Sequence, residues 1–542
     1  MSQVNEPIRV RYAPSPTGAL HLGGARTALF NYLFARQKGG QFLLRIEDTD
    51  RARLKPGSQE QIEEGLQWLR MTWDETPLIQ SERQPIYQQA ADDLLESGAA
   101  YRCFCTPERL AQMRAEQRAR HEPERYDRRC RAIPREESDR RAAAGERYVV
   151  RQAMPTQGTT TLQDLVMGTV TFRNDTLDDH VLLKSDGFPT YHLAFAVDDH
   201  AMRISHVIRG DGWLPSAPKH LLLFQAFNWL PPAFAHVPLV LGPDKKPLAK
   251  RHGAKDVLEY REAGYLPEAV DNFIAFLGWS PGTDQDLFTM EQLIAAFDLT
   301  KIQASPAVAN LERLDWLNGQ FIRRLSPDEL AARIAPKMPT VPVQTLAPLM
   351  PLVQERLRTL NDAPEMLRFF FEEPDGYRPE QLIPKGRDAA TTATALTTAA
   401  TTLGSLTDWA HGVAGRRHRP NGDATADRVD QQARKGHGPG ATRTRRAQAR
   451  RAGLEASRRE RPVAPADPGH DVRARDRAEL PRVGAGGGIV TRKDDRAAVV
   501  DRGDALDDFQ LGSIGAARDH HVADSQARAR VDRSGNHQRA GW

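Results

Sequence analysis

The chain has 542 residues, of which 40% are hydrophobic and 27% charged, enough for several domains of a globular class. Its net charge of +4 permits a polyanionic partner without demanding one, and three cysteines exclude a disulfide framework and suit a reducing cytoplasm. Met1 to Pro16 lacks a signal-peptide core, and the apolar stretch Leu221 to Leu241 is interrupted by Asn228, Pro231 and Pro232, so no membrane segment is expected.

Ile8 to Ala13 reads as a short strand. Pro14, Pro16 and Gly18 then impose a loop, and Leu22, Ala25, Leu29, Tyr32 and Leu33 recur at helical spacing, which starts a helix near His21. Lys38-Gly39-Gly40 ends it, Gln41 to Ile46 is a second strand, and Glu47-Asp48-Thr49-Asp50 follows at its carboxyl end. This is a βαβ unit with polar groups gathered where open parallel sheets bind ligands. The free N–H groups at the helix start suit a phosphate chain, His21 can donate to a phosphoryl oxygen, and Gly23 and Gly24 leave room for a flat base or ribose.

Ser58 to Leu69 and Tyr87 to Leu95 read as helices. Glu108 to Arg147 is dense in arginine and glutamate, a mostly helical insertion whose composition alone says only a solvated charged face. Tyr148 to Met154 and Leu162 to Phe172 are expected as strands that close it. Cys103-Phe104-Cys105 with Cys130 is a candidate zinc cluster one ligand short, for which His121 and Tyr126 are the nearest substitutes; three buried or idle thiols are the alternative. Beyond the turn at Asp186-Gly187 a strand or a helix starts, and Tyr191 and Arg209 are expected near strand ends, Arg209 after a buried strand from Ile204 to Ile208. An arginine there offers a bidentate grip on a carboxylate or, equally, a structural ion pair. Lys219 to Trp229 is an amphipathic helix, and Val237 to Leu241 a strand. Gly242 to Gly253 is a basic loop able to close over a triphosphate and place Lys246, Lys250 and Arg251 on a departing pyrophosphate. Val257 to Tyr260, Pro267 to Leu277, Leu330 to Leu360 and Glu365 to Phe371 read as helices.

After about Trp409 the texture changes. His411 to Trp542 holds one phenylalanine (Phe509), two lysines (Lys435 and Lys493) amid many arginines, and no tyrosine, methionine or cysteine. Such a segment cannot bury enough apolar surface to fold. It reads either as a natural basic tail with weak RNA affinity or, the preferred reading, as a reading-frame shift near His411, because arginine, alanine, glycine and aspartate are what a GC-rich gene yields out of frame.

The string Ala13-Pro14-Ser15-Pro16-Thr17-Gly18-Ala19-Leu20-His21-Leu22-Gly23-Gly24 resembles the first signature of class I aminoacyl-tRNA synthetases (the His-Ile-Gly-His type). With Arg45-Ile46-Glu47-Asp48-Thr49-Asp50 it resembles the bacterial-type glutamyl-tRNA synthetase branch. Lys245-Lys246-Pro247-Leu248-Ala249-Lys250-Arg251 is similar to the second signature (Lys-Met-Ser-Lys-Ser type), with Pro247 for its first lysine and Ala249 for its serine. Gly24 stands where the second histidine of the first signature is found. The resemblance, carried from about Val10 to Trp409, implies an α/β fold. A Rossmann-like parallel-sheet catalytic domain in two halves (1–97 and 185–255) would carry an α+β acceptor-stem-binding insertion (98–184). A helical stem-contact module (256–325) and a helical anticodon-binding bundle (326–410) would follow, then the unfolded tail (411–542). It implies His21 and Lys250 on the phosphates of ATP, with Gly23, Gly24, Lys246 and Arg251 in the ATP site; Arg11, Ser15, Glu47, Tyr191 and Arg209 on glutamate; and Arg356 near the anticodon. ATP and Mg2+ are the expected cofactors, zinc at the cysteines a further one, and tRNA(Glu) the partner of a cytoplasmic monomer. A truncated relative acting on a modified tRNA base is disfavoured by the helices from Leu314 to Phe371. Glutaminyl-tRNA synthetase differs in its first signature and its C-terminal β-barrels, and a non-catalytic tRNA-binding paralogue is motivated by Pro247 and Ala249, while His21, Glu47, Arg209 and Lys250 speak against it.

Overall fold

A computed structural model of the chain describes residues 7–372 and 378–404; the expectations for 411–542 lie outside these residues. The described residues fall in two compact units, one ending at Leu367 and the other beginning at Arg368.

The first unit is built on parallel strands. β1 (Arg9–Tyr12), α1 (Leu22–Gln37) and β2 (Gln41–Ile46) form the expected βαβ unit, with Arg9 opposite Gln41 and Tyr12 opposite Leu44. α1 is buried on nearly every side, so its residues are apolar well beyond one stripe. α2 (Ser58–Trp68) leads to the short β3 (Leu78–Ile79), parallel to β2, and α3 (Gln84–Glu96) covers the sheet.

The segment expected as an insertion follows. β4 (Ala100–Cys103), α4 (Pro107–Ala119), α5 (Arg135–Ala143) and β5 (Val149–Gln152) are followed by the hairpin β6 (Thr159–Asp164) and β7 (Gly168–Arg173), then β8 (Val181–Leu183). β4, β5 and β8 make an antiparallel sheet of their own. The strand expected over Leu162 to Phe172 is therefore two strands. The Asp164 carboxylate accepts the N–H groups of Val166 and Met167 at 3.0 and 2.9 Å, and Gly168 takes φ +73°, so the chain reverses inside the apolar run.

The core resumes with α6 (Tyr191–Ala201), β9 (His206–Gly210), α7 (Ala217–Ala226), β10 (Ala233–Val237) and the two-residue β11 (Val240–Leu241). Of the strand or helix start that the sequence leaves open after Gly187, the chain takes the helix, with Tyr191 as its first residue. The strand expected over Val237 to Leu241 straddles a break, because Pro238 has no N–H for the ladder. β9 is parallel to β10, and β10 meets β6. The Ser205 N–H donates to the Arg9 carbonyl at 2.9 Å, which sets β9 beside β1. Read across, the order is β3-β2-β1-β9-β10-β6-β7, and the sequence order reverses between β1 and β9. This is a topological switch point, where open parallel sheets leave a crevice outside the strands' carboxyl ends.

Helices complete the unit: α8 (Val257–Glu262), α9 (Pro267–Ala275) and α10 (Met290–Ala296), then β12 (Ala307–Val308) beside β11, then α11 (Leu311–Arg324) and α12 (Pro327–Ile334). α13 (Val343–Leu346), α14 (Met350–Val353) and α15 (Ala363–Leu367) are single turns. Prolines at 336, 339, 342, 348, 351 and 364 divide what the apolar spacing suggests are longer helices. One large core runs from α1 through α9 and α11 to Leu367, and a second packs α3, α6 and α7 against the other sheet face. The second unit carries α16 (Ala389–Gly404), an Ala/Thr helix whose threonine hydroxyls donate to carbonyls four residues back.

Candidate active site

The first signature begins where β1 ends. His21 is the N-cap of α1, and its Nδ1 accepts the Gly24 N–H at 3.0 Å. An Nδ1 that accepts leaves the ring proton on Nε2, the nitrogen turned away from the helix, so His21 has a donor to offer an oxyanion at a helix N-terminus. Gly24, which stands where a second histidine is found in the first signature, is closely packed. A Cβ on Gly24 would lie 2.6 Å from the Tyr12 hydroxyl and 3.2 Å from Leu20. Gly23 has more room, its nearest neighbour being the His21 ring at 3.4 Å. The loop between β1 and α1 is tied to the end of β2 by the Glu47 N–H, which donates to the Pro14 carbonyl at 2.9 Å and leaves Ser15 exposed beside it.

Four charges are buried under this loop. The Arg11 Nε donates to Asp199 Oδ1 at 2.9 Å, the Arg45 guanidinium contacts the same oxygen, and Arg45 Nη2 reaches Glu47 Oε1 at 2.9 Å. Arg45 is fully buried, and Arg11, Asp199 and Glu47 nearly so. Burial pushes the Glu47 carboxyl up, opposed by Arg45 and Arg11. At Asp199, burial is outweighed by Arg11 and Arg45, which hold it below the usual range. Sequence reasoning named Arg11 and Glu47 but not Arg45 or Asp199. The signal was present: an arginine inside the apolar run Phe42-Leu43-Leu44-Arg45-Ile46 requires a buried acid somewhere.

Arg209, at the end of β9, faces the same crevice. Its Nη1 donates to the Tyr191 hydroxyl at 3.1 Å, and Tyr191 stacks on Trp213 at 4.1 Å between ring centroids. The Arg209 and Arg11 guanidinium groups both approach the Phe195 ring, their Cζ atoms 4.9 and 5.6 Å from its centroid. The Tyr191 hydroxyl is pushed up to about 12 by burial, with Arg209 pulling it down and Glu47 pushing it up. Arg11, Glu47, Tyr191 and Arg209, far apart in sequence, therefore share one crevice at the switch point. Trp213 and Phe195 are not among the site residues expected from the sequence.

The second signature forms a pinned turn. The Gly242 N–H donates to the Lys246 carbonyl at 2.8 Å, Lys245 takes φ +59°, and the Leu248 N–H donates to the Val240 carbonyl at 2.9 Å. Lys246 and Arg251 are exposed, Arg251 lying 3.8 Å from Asp244. Lys250 begins a 3-10 turn that runs to His252; nothing of its side chain is described. Just beyond, the Val257 N–H donates to the Leu20 carbonyl at 2.8 Å, and Asp256 bridges to His21. The segment leaving the second signature thus touches the first. Arg356 is exposed at the turn Gln354–Arg356, remote in sequence from the crevice.

The three thiols converge. Cys103, Cys105 and Cys130 bring their sulfurs within 4.8 Å of one another, with Cys105 and Cys130 at 3.5 Å. The Tyr126 hydroxyl lies 3.3 Å from the Cys103 sulfur and 3.5 Å from that of Cys105. His121 is exposed at the end of α4 with φ +56° and is not in the cluster.

A switch-point crevice lined by paired arginines, entered by a histidine-capped helix and a basic turn, defines a catalytic domain of the class I tRNA synthetases. Residues 7–316 match the family described as tRNA synthetases class I (E and Q), catalytic domain, and residues 321–414 the anticodon binding domain. The glutamate--tRNA ligase of Dehalococcoides mccartyi is 47% identical over 416 residues, 74% of this chain and 84% of that one. That of Treponema pallidum is 43% identical over 444 residues, 71% and 82% of the two chains. The crystal structure of a glutamate tRNA ligase from Elizabethkingia meningosepticum in complex with its amino acid superimposes with a TM-score of 0.69 at 38% identity, over 74% of this chain and 87% of that one. The chain belongs to the glutamate--tRNA ligase family. Among the described residues, no helix is long and apolar enough to cross a membrane.

Proposed function

We propose that the chain activates L-glutamate with ATP and transfers it to tRNA(Glu), as a cytoplasmic monomer. The observation that carries this reading is the convergence of Arg11, Glu47, Tyr191 and Arg209 beside the His21-capped helix. In the first step an oxygen of the glutamate α-carboxylate attacks the α-phosphorus of ATP, and pyrophosphate leaves. In the second a hydroxyl of the terminal tRNA ribose attacks the acyl carbon, AMP leaves, and the hydroxyl proton passes to solvent. The attacking carboxylate is already ionised at pH 7, so no strong general base is needed and catalysis is positioning plus charge stabilisation. Arg11 and Arg209 meet the carboxylates of glutamate, Glu47 its ammonium, and Ser15 lines the rim. His21 and Lys250 hold the phosphates, Gly23 and Gly24 admit the adenosine, and Lys246 and Arg251 draw off the pyrophosphate charge. Mg2+ would accompany the triphosphate as a cofactor and supply neutralisation of its charge. Arg356 reads the anticodon, the insertion carries the acceptor end, and the domain boundaries are those set out from the sequence.

The thiol cluster fits zinc. Tetrahedral Zn–S bonds of about 2.3 Å place sulfurs about 3.8 Å apart; Cys105 and Cys130 lie 3.5 Å apart, and all three sulfurs lie within 4.8 Å of one another beside the Tyr126 oxygen. Cys103, Cys105 and Cys130 would hold the ion, with Tyr126 as the fourth donor and a structural role.

Lys250→Ala tests the central reading. Pyrophosphate exchange in the presence of tRNA should fall by two or more orders of magnitude, about 3 kcal/mol or more of transition-state stabilisation, with the thermal transition unchanged. A loss below tenfold would sink the assignment of this loop to the phosphates.

A further inference from the structure

Arg209 is held by two histidines that are not among the residues assigned to glutamate. On β10, His236 is the direct cross-strand partner of Arg209, and Arg209 Nε donates to its Nε2 at 3.1 Å. The other ring nitrogen of His236, Nδ1, lies 2.6 Å from Asp164 Oδ2, at the end of β6 in the insertion. On α7, His220 Nδ1 lies 3.3 Å from both Nη1 and Nη2 of Arg209, and His220 Nε2 lies 3.0 Å from His192 Nδ1 on α6. His220 and His236 are fully buried, Asp164 nearly so.

Elimination fixes the protons. A guanidinium has five N–H donors and no acceptor, so His236 Nε2 and His220 Nδ1 both present lone pairs. His236 then carries its proton on Nδ1, facing the Asp164 carboxylate, and His220 carries its proton on Nε2, facing His192. Asp164 and His192 thus select the tautomers that let the two rings accept from Arg209. The remaining donors of Arg209 go to the Tyr191 hydroxyl at 3.1 Å and the Trp213 carbonyl at 3.4 Å. The long Trp213 contact is the one an incoming carboxylate most readily replaces, while the histidines hold the plane of the guanidinium.

We propose that His236 and His220 are positioning residues for glutamate recognition, orienting the Arg209 guanidinium toward the crevice, and that Asp164 couples the insertion to this site by fixing the His236 tautomer. This rests on the assignment of Arg209 to glutamate. An arginine partly released from such a clamp regains part of its rotamer entropy, which binding must remove again, so the grip should weaken roughly 10-fold and by at most about 30-fold, the latter being about 2 kcal/mol.

The experiment is pyrophosphate exchange by the full chain in the presence of tRNA, with KM measured separately for glutamate and ATP. His236→Phe keeps a ring but removes the acceptor. It is expected to raise KM for glutamate roughly 10- to 30-fold with KM for ATP within twofold, and His236→Gln, whose amide oxygen can accept, should recover part of the loss. Asp164→Asn preserves volume, and its amide can donate as well as accept, so it admits the wrong tautomer. The same selective rise in KM, smaller in size and absent in the His236→Phe background, is expected; this variant carries the test should His236→Phe not fold. Equal rises in both KM values, or no rise, would overturn the inference. Arg209→Ala separates the two levels. If it leaves KM for glutamate unchanged, the role of Arg209 falls and the inference with it. If it raises KM while the His236 and Asp164 variants do not, the inference alone falls.

Discussion

Replacing Arg45 with methionine removes one member of a buried quartet, Arg11, Asp199, Arg45 and Glu47, whose formal charges cancel. Asp199 keeps Arg11; Glu47 loses its hydrogen-bonded partner and largest favourable charge. Breaking one side of a buried ion pair costs roughly 3–5 kcal/mol. At about 2 °C per kcal/mol for a unit of this size, the thermal transition should fall by roughly 6–10 °C at pH 8. The pH dependence carries the sharper test. Burial already raises the Glu47 carboxyl above its ordinary 4.5, and without Arg45 it rises further. A carboxyl whose native pKa exceeds its unfolded value takes up a proton as pH falls through the native value, and stabilises the fold on doing so. The stability deficit of Arg45→Met should therefore shrink from pH 8 to pH 6. Activity should move the opposite way, because only ionised Glu47 pairs with the glutamate ammonium, and the deficit in kcat/KM for glutamate should grow over the same interval. Calorimetry and pyrophosphate exchange at the two pH values read both. A deficit that changes in the same direction for both, or a transition within 2 °C of the parent, would refute the electrostatic account of this quartet.

Two further substitutions follow from local geometry. Gly24→Ala drives a methyl into the Tyr12 hydroxyl, 2.6 Å from where its Cβ would stand, and should destabilise the chain by about 1–3 kcal/mol and raise KM for ATP about tenfold; Tyr12→Phe in the same chain should restore most of both. For the thiols, elemental analysis of the purified protein should find one zinc per chain. Cys103→Ser should remove it and lower the thermal transition without altering KM for ATP; a metal-free parent of full stability would leave a thiol and tyrosine cluster with no ion.

The first signature was legible because its residues act locally. The prolines, His21 and the glycines each do their work within a few residues of chain, so spacing alone places them. β2 and α2 follow their apolar patterns almost to the residue. What escaped depends on partners distant in sequence. Arg45 and Asp199 are 154 residues apart, and His236 and Asp164 are 72 apart; no periodicity reports such pairs. The β6–β7 reversal escaped for the opposite reason. Leu165, Val166 and Met167 have the apolar character of a strand, and a single carboxylate, that of Asp164, decides that they turn instead. The proline-rich stretch after α12 shows a third limit. Its apolar residues do recur at helical spacing and are buried, but the chain achieves this with successive single turns.

The departures in the second signature lose their weight once the backbone is seen. Proline at position 247 would be costly if the turn needed an N–H there. It does not: the closing hydrogen bonds run from the Gly242 N–H to the Lys246 carbonyl and from the Leu248 N–H to the Val240 carbonyl, and Pro247 stands between them. Ala249 lacks a hydroxyl, yet its backbone N–H donates to His252 Nδ1 at 3.2 Å, and His252 Nε2 lies 3.1 Å from Asp244 across the turn. The loop is therefore shaped by main-chain bonds and one imidazole, and the side chains at 247 and 249 can vary without disturbing the backbone that carries Lys250. The non-catalytic reading drew only on those two residues. With their substitutions absorbed by the turn and the arginine crevice intact beside His21, the geometry favours a working synthetase.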